Sequence, residues 1–147
     1  MAAQKNASVV WQGNGLEFKA KMETGFSFTM HSPADDRGAT PMEFLLAGVA
    51  GCTSMDVISI LEKKRQKVHS LETHIHGVQA ADAPNVFTDV TITFVVKGED
   101  IDPAAVERAI ELSHTKYCSA SIMFQRSGAN VTTEYRIEAV TPSPAAV

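Results

Sequence analysis

The sequence predicts an α+β protein in which a mostly antiparallel sheet packs on a long, buried central helix. Three observations lead there: strand-like runs come before and after one long helical run, that run (residues 40–67) is apolar in nearly every direction, and the flanking runs alternate with period two.

Residues 7–12 and 16–22 are strand-like and separated by Gly13-Asn14-Gly15, which supplies the positive backbone angles of a hairpin turn. Residues 25–31 make a third strand, with Phe26, Phe28 and Met30 alternating with Ser27, Thr29 and His31, so one face should be buried. A polar loop over 32–39 delivers Arg37 three residues before the helix cap. Thr40 serves as N-cap, Pro41 fits the first helical position, and Glu43 completes a capping box. From 44 to 61 apolar residues point all round the helix, and Lys63, Lys64, Arg65 and Lys67 then place cations at its negative end. Such a helix needs cover on all sides, and one sheet from a small chain covers one side. A second copy should supply the rest, giving an intertwined homodimer.

After the helix, 68–80 and 86–96 form a second hairpin, the latter alternating through Val90, Ile92 and Phe94. Asp102-Pro103 starts a helix to about His114, which leads to Cys118. Residues 119–128 carry no assignable pattern, 131–140 read as a last strand, and a tail containing Pro and Ala follows.

A chain of 147 residues, 44% hydrophobic, suits one core, so a single domain over 1–147 is expected. A net charge of -4 with no basic stripe away from the end of the central helix argues against a nucleic-acid partner. No signal-like segment and no uncharged apolar run of membrane-spanning length is present, so a soluble cytoplasmic protein without a membrane partner is expected. Two cysteines make no disulfide framework; in a reducing compartment such a pair binds metal, catalyses, or is simply buried.

Cys52 and Cys118 are the only thiols, and reactivity requires a thiolate stabilised by its surroundings. Cys52 lies twelve residues past the cap, about 18 Å along a continuous helix, so its own dipole cannot help. Arg37 is the candidate cation, because a guanidinium stays charged. The competing reading makes Cys52 packing filler among Ala50, Gly51 and Met55. Gly48 and Gly51 each cost about 1 kcal/mol in a helix, which close approach of a helix or ligand, or a bend, would offset. Asp56, one turn beyond Cys52, opposes a thiolate unless it is paired. Glu43 either orients Arg37 or serves only its cap. His114 with Cys118 and Cys52 suggests zinc, but no compact CxxC or HxxxH spacing supports a metal. His74 and His76 share a strand face that reads as solvated, while Trp11, Phe26, Phe28 and Phe94 read as core.

Pro41 with the acid and apolar residues after it, the run Ala47-Gly48-Val49-Ala50-Gly51 leading to Cys52, and Cys118 behind a helix together resemble the OsmC/Ohr family of osmotically inducible and organic-hydroperoxide-resistance proteins. The resemblance spans nearly the whole chain, and GCTSMDVISIL looks like an OsmC-like branch. It implies an OsmC-like fold, an intertwined homodimer with active sites at the subunit interface, and thiol-dependent reduction of organic hydroperoxides in oxidative-stress defence. Carried over, Cys52 is peroxidatic, Cys118 resolving, and Arg37 with Glu43 the activating pair. No bound cofactor is implied, but an external dithiol reductant is, lipoylated or thioredoxin-like. The peroxidase branches have glutamate directly after the proline, where this chain has Met42, so the acid at Glu43 is rotated about 100° around the helix. They also often have proline after the second cysteine, where Ser119 stands. The alternative is a non-enzymatic redox sensor or binder of a small apolar ligand.

Overall fold

Gly13 and Gly15 adopt φ of 80° and 50° and close the first hairpin, as the Gly13-Asn14-Gly15 triplet predicts. The computed structural model describes residues 1–141, so most of the expected tail lies outside the described residues. The backbone forms two compact units, Met1–Leu45 and the chain from Leu46 onward.

In the first unit β1 (Ala7–Trp11), β2 (Glu17–Met22) and β3 (Ser27–His31) make an antiparallel sheet in that order. The register pairs Trp11 with Phe18 and Phe18 with Met30, so these side chains share a face. Ala20 is buried at its centre, and the Phe28 ring lies 4.6 Å from that of Phe44. Trp11 and Phe26, expected in the core, are instead 58% and 65% exposed. Every residue of the edge strand β1 is exposed, because a three-stranded sheet leaves its rim uncovered.

Helix α1 (Pro41–Lys63) starts at the expected residue. Within the chain it is not enclosed as expected. It buries one stripe, Val49, Thr53, Val57 and Leu61, which recur every fourth residue and so stay on one side. Met55 is 72% exposed. By length and composition α1 is long and apolar enough to cross a membrane, though Glu43 and Asp56 interrupt it and one stripe of it packs on protein. It stops in a Schellman turn: Arg65 N–H donates to the Glu62 carbonyl (2.9 Å) and Gln66 N–H to that of Leu61 (3.0 Å), with Arg65 at φ 57°.

The second unit holds a second sheet, where one sheet was expected. β4 (Lys67–Gln79) and β5 (Phe87–Glu99) are antiparallel, and β6 (Asn130–Ala139) lies parallel to β5 on its other side. Val90, Ile92, Phe94 and Val96 form the buried centre, as their alternation predicts. The solvated reading of His74 and His76 holds, since both are exposed. A parallel neighbour requires a crossover. It consists of α2 (Pro103–Leu112), a π-helical turn (Ser113–Tyr117) and α3 (Ser119–Arg126). Asp102 caps α2 by accepting the Ala104 N–H at 3.0 Å.

Candidate thiol site

The chemistry-bearing residues fall into two groups, one in each unit. In the first, Thr40 and Glu43 form a full capping box. Glu43 N–H donates to Thr40 Oγ1 (3.3 Å), and Glu43 Oε1 accepts from the Thr40 N–H (3.1 Å) and hydroxyl (2.9 Å). Arg37 is held by other partners: its Nη2 and Nε donate to Asp35 Oδ2 at 2.8 and 3.1 Å, its Nη1 lies 3.7 Å from Glu17, and its Nη2 is 2.9 Å from His31 Nε2. Hydrogen bonds from Arg37 hold the Asp35 carboxyl below its usual range, and Asp35 in turn raises Arg37. A guanidinium has no acceptor, so His31 accepts at Nε2 and donates from Nδ1 to the Pro33 carbonyl at 2.7 Å. Among the described residues, then, Arg37 pairs with Asp35 and Glu17 while Glu43 stays with its cap.

The second group brings the thiols together. Cys52 sits half-buried on α1, and Cys118 is fully buried at the head of α3. Cys118 caps that helix, its Sγ accepting the Ser121 N–H at 3.3 Å. Its own N–H donates to the Ser113 carbonyl at 2.8 Å, which closes the π turn. Burial pushes the Cys118 thiol up to about 12; the Ser121 N–H opposes that rise, and neighbouring Cys52 and the negative charge of Asp56 add to it. Cys52 thus lies near enough to Cys118 to bear on its proton, with Cys118 held as a thiol and Cys52 the more accessible.

Asp56 is paired. Ser113, itself fully buried, donates its hydroxyl to Asp56 Oδ2 at 3.0 Å and lies 2.8 Å from Thr53 Oγ1, so Thr53 supplies the proton of that second bond. Ser54 Oγ lies 2.6 Å from Thr73 Oγ1 and ties α1 to β4. His114 turns to Gln125, whose Nε2 donates to its carbonyl at 2.9 Å. Among the described residues a side chain at Gly48 or Gly51 would meet nothing within 4 Å, so no other element of the chain approaches these glycines closely.

Sequence reasoning missed Ser113 and α3. Cysteine is not among the usual cap residues, and eight residues with two serines near the start give a short, weak apolar period. The available signal was Ser119-Ala120-Ser121 behind a cysteine whose sulfur can replace a serine hydroxyl as acceptor.

The family described as OsmC-like protein matches residues 34–134. Protein YhfA of Escherichia coli is 37% identical over 133 residues, covering 90% of this chain and 98% of that protein. A crystal structure of a hypothetical protein from Aquifex aeolicus superposes with a TM-score of 0.85 at 26% identity, covering 95% of this chain and 100% of that one. An organic hydroperoxide resistance protein from Elizabethkingia anophelis shares the fold at 15% identity, with a TM-score of 0.69 over 94% of this chain and 99% of its own. Since α1, the small residues before Cys52 and the capping Cys118 all lie inside the matched stretch, this chain belongs to the OsmC-like protein family.

Proposed function

We propose that this protein is a thiol-dependent peroxidase that reduces organic hydroperoxides in oxidative-stress defence. The proximity of half-buried Cys52 to buried Cys118, felt in the raised Cys118 thiol, supports this most directly. The Cys52 thiolate attacks the outer peroxide oxygen, the O–O bond breaks, and the alcohol leaves with a proton while Cys52 becomes a sulfenic acid. Cys118 condenses with it, giving a disulfide and water, and an external dithiol, lipoylated or thioredoxin-like, restores both thiols. The reading assigns Arg37 the stabilisation of thiolate and leaving oxygen, with Glu43 as its orienter, on the strength of the resemblance.

The reading includes a cytoplasmic homodimer. Gly48, Cys52, Met55 and Ser59 recur at spacings of four, three and four on α1, the seam of a helix pair, and Gly48, Met55 and Ser59 are exposed in the chain. A second α1 on that seam would complete the site beside Cys52.

Consumption of cumene hydroperoxide with a dithiol reductant tests the proposal. Wild type should turn over, C52A should not, and C118A should stall at the sulfenic acid. Full activity in C52A, or none in wild type, would overturn it.

One observation favours the alternative of a non-enzymatic sensor or apolar-ligand protein: Arg37 and Glu43 have separate partners. In that case Cys52 alkylates slowly at neutral pH and speeds up only near the titration of a free cysteine. Fast alkylation at neutral pH would dismiss this second reading.

A further inference from the structure

The resolving step needs a buried thiol to lose a proton that its surroundings hold tightly. Cys118 is fully buried, so a standing thiolate is scarce there. A carboxylate bears on this thiol, that of Asp56. It lies one helical turn beyond Cys52, where side chains four apart are neighbours, and Ser113 donates to its Oδ2 at 3.0 Å. Ser113 is also the residue whose carbonyl takes the Cys118 N–H at 2.8 Å. One π turn therefore holds both the thiol and the carboxylate, and Thr53 locks the Ser113 hydroxyl from the other side. The other titratable side chains of that turn point elsewhere: His114 meets Gln125, and Lys116 lies over the Tyr117 ring at the surface.

We propose that Asp56 is the general base of disulfide formation, accepting the Cys118 proton directly or across one water as the sulfur–sulfur bond forms. This rests on the two-cysteine reading above and adds a residue to it. At rest the carboxylate disfavours a thiolate; in the transition state the same charge draws the proton off. The Cys118 S–H electron pair becomes the new S–S bond, the Cys52 S–O bond breaks with its pair on oxygen, and the departing hydroxide takes the proton from Asp56 to leave as water. Cys118 is oxidised, the Cys52 sulfenic sulfur is reduced, and the hydroperoxide already consumed supplies the oxidising equivalents.

The test isolates this step from peroxide chemistry. One equivalent of dithiobis-nitrobenzoate labels the accessible Cys52 and releases thionitrobenzoate; attack by Cys118 on the mixed disulfide then releases a second. In wild type the second phase should be fast and nearly flat with pH around neutrality. Asp56→Asn, close in shape, should slow it by roughly 100-fold, the lower range for general base catalysis. Its rate should also rise about tenfold per pH unit, as expected when only pre-formed thiolate reacts. Asp56→Glu should restore part of the rate and the flat profile. A second phase in Asp56→Asn as fast and as flat as wild type, or a wild-type phase that already rises tenfold per unit, would overturn the proposal. Failure to consume hydroperoxide would instead count against the peroxidase reading and leave this result standing.

Discussion

Cys118 Sγ stands 3.3 Å from the Ser121 amide nitrogen, so the thiol does for α3 what a serine hydroxyl does at many helix starts. Serine in its place keeps an acceptor, and alanine removes it. C118A should therefore be less stable than C118S by about 1 kcal/mol. Urea midpoints measure this; equal midpoints would show that the sulfur contributes nothing as a cap.

The burial of that thiol also sets the alkaline limit of the fold. Its folded value is raised from 9.0 to about 12, so between those values the unfolded chain has lost a proton that the folded chain keeps. The unfolded state then binds fewer protons, and stability falls as pH rises. This contribution is complete below about pH 9 and lost through about pH 12, with a slope of at most about 1.4 kcal/mol per unit. Unfolding measured across that window should fall more steeply for wild type than for C118S. Parallel curves would contradict it.

Arg65 occupies the left-handed position of the turn that ends α1, at φ 57°. Glycine adopts that region without the Cβ clash, which costs other residues about 1–2 kcal/mol. Arg65→Gly should raise stability, by roughly 0.5–1 kcal/mol after the greater freedom of glycine in the unfolded chain is counted. A lower melting temperature would show that the arginine side chain matters more than its backbone.

Gly98 works in the opposite sense. A Cβ there would meet the Lys67 carbonyl oxygen at 2.2 Å and the Ile101 side chain at 2.7 Å. Because the first obstacle is backbone, β4 and β5 must separate to make room. Gly98→Ala should destabilise by about 3 kcal/mol, the upper range for overpacking. An unchanged denaturation midpoint would refute the predicted clash.

The exposed seam on α1 bears on assembly. If a second copy covers it, the melting temperature should fall on dilution, and Gly48→Ala should weaken association. If the seam faces water, Gly48→Ala should instead stabilise by up to about 1 kcal/mol, because its Cβ meets nothing among the described residues. Sedimentation and melting at two concentrations separate these outcomes.

The legible parts were those carried by local chemistry. Thr40, Pro41 and Glu43 marked the helix start to the residue, and Val90, Ile92 and Phe94 marked the buried face of β5, because caps and alternation act between near neighbours. Parallel pairing of β5 with β6 was not legible, since nothing in either strand states its direction. The partnership of Cys52 with Cys118 was named only through resemblance, and the Ser113 link to Asp56 was not named at all. Both depend on where the crossover lands, which no short-range pattern encodes. For Arg37 the sequence reading looked to Glu43, six residues on, whereas the guanidinium pairs with Asp35, two residues away.

The parallel strand also orders the folding of the chain. β4 and β5 are joined by a short connection and can pair as soon as both exist, whereas β6 cannot dock until the crossover has spanned the sheet. Cys118 travels on that crossover. During synthesis Cys52 emerges well before it and stays without its partner while the first hairpin of this sheet forms. The thiol pair is thus a late product of folding, and a Cys52–Cys118 cross-link in nascent protein would report a chain that has already found its native topology.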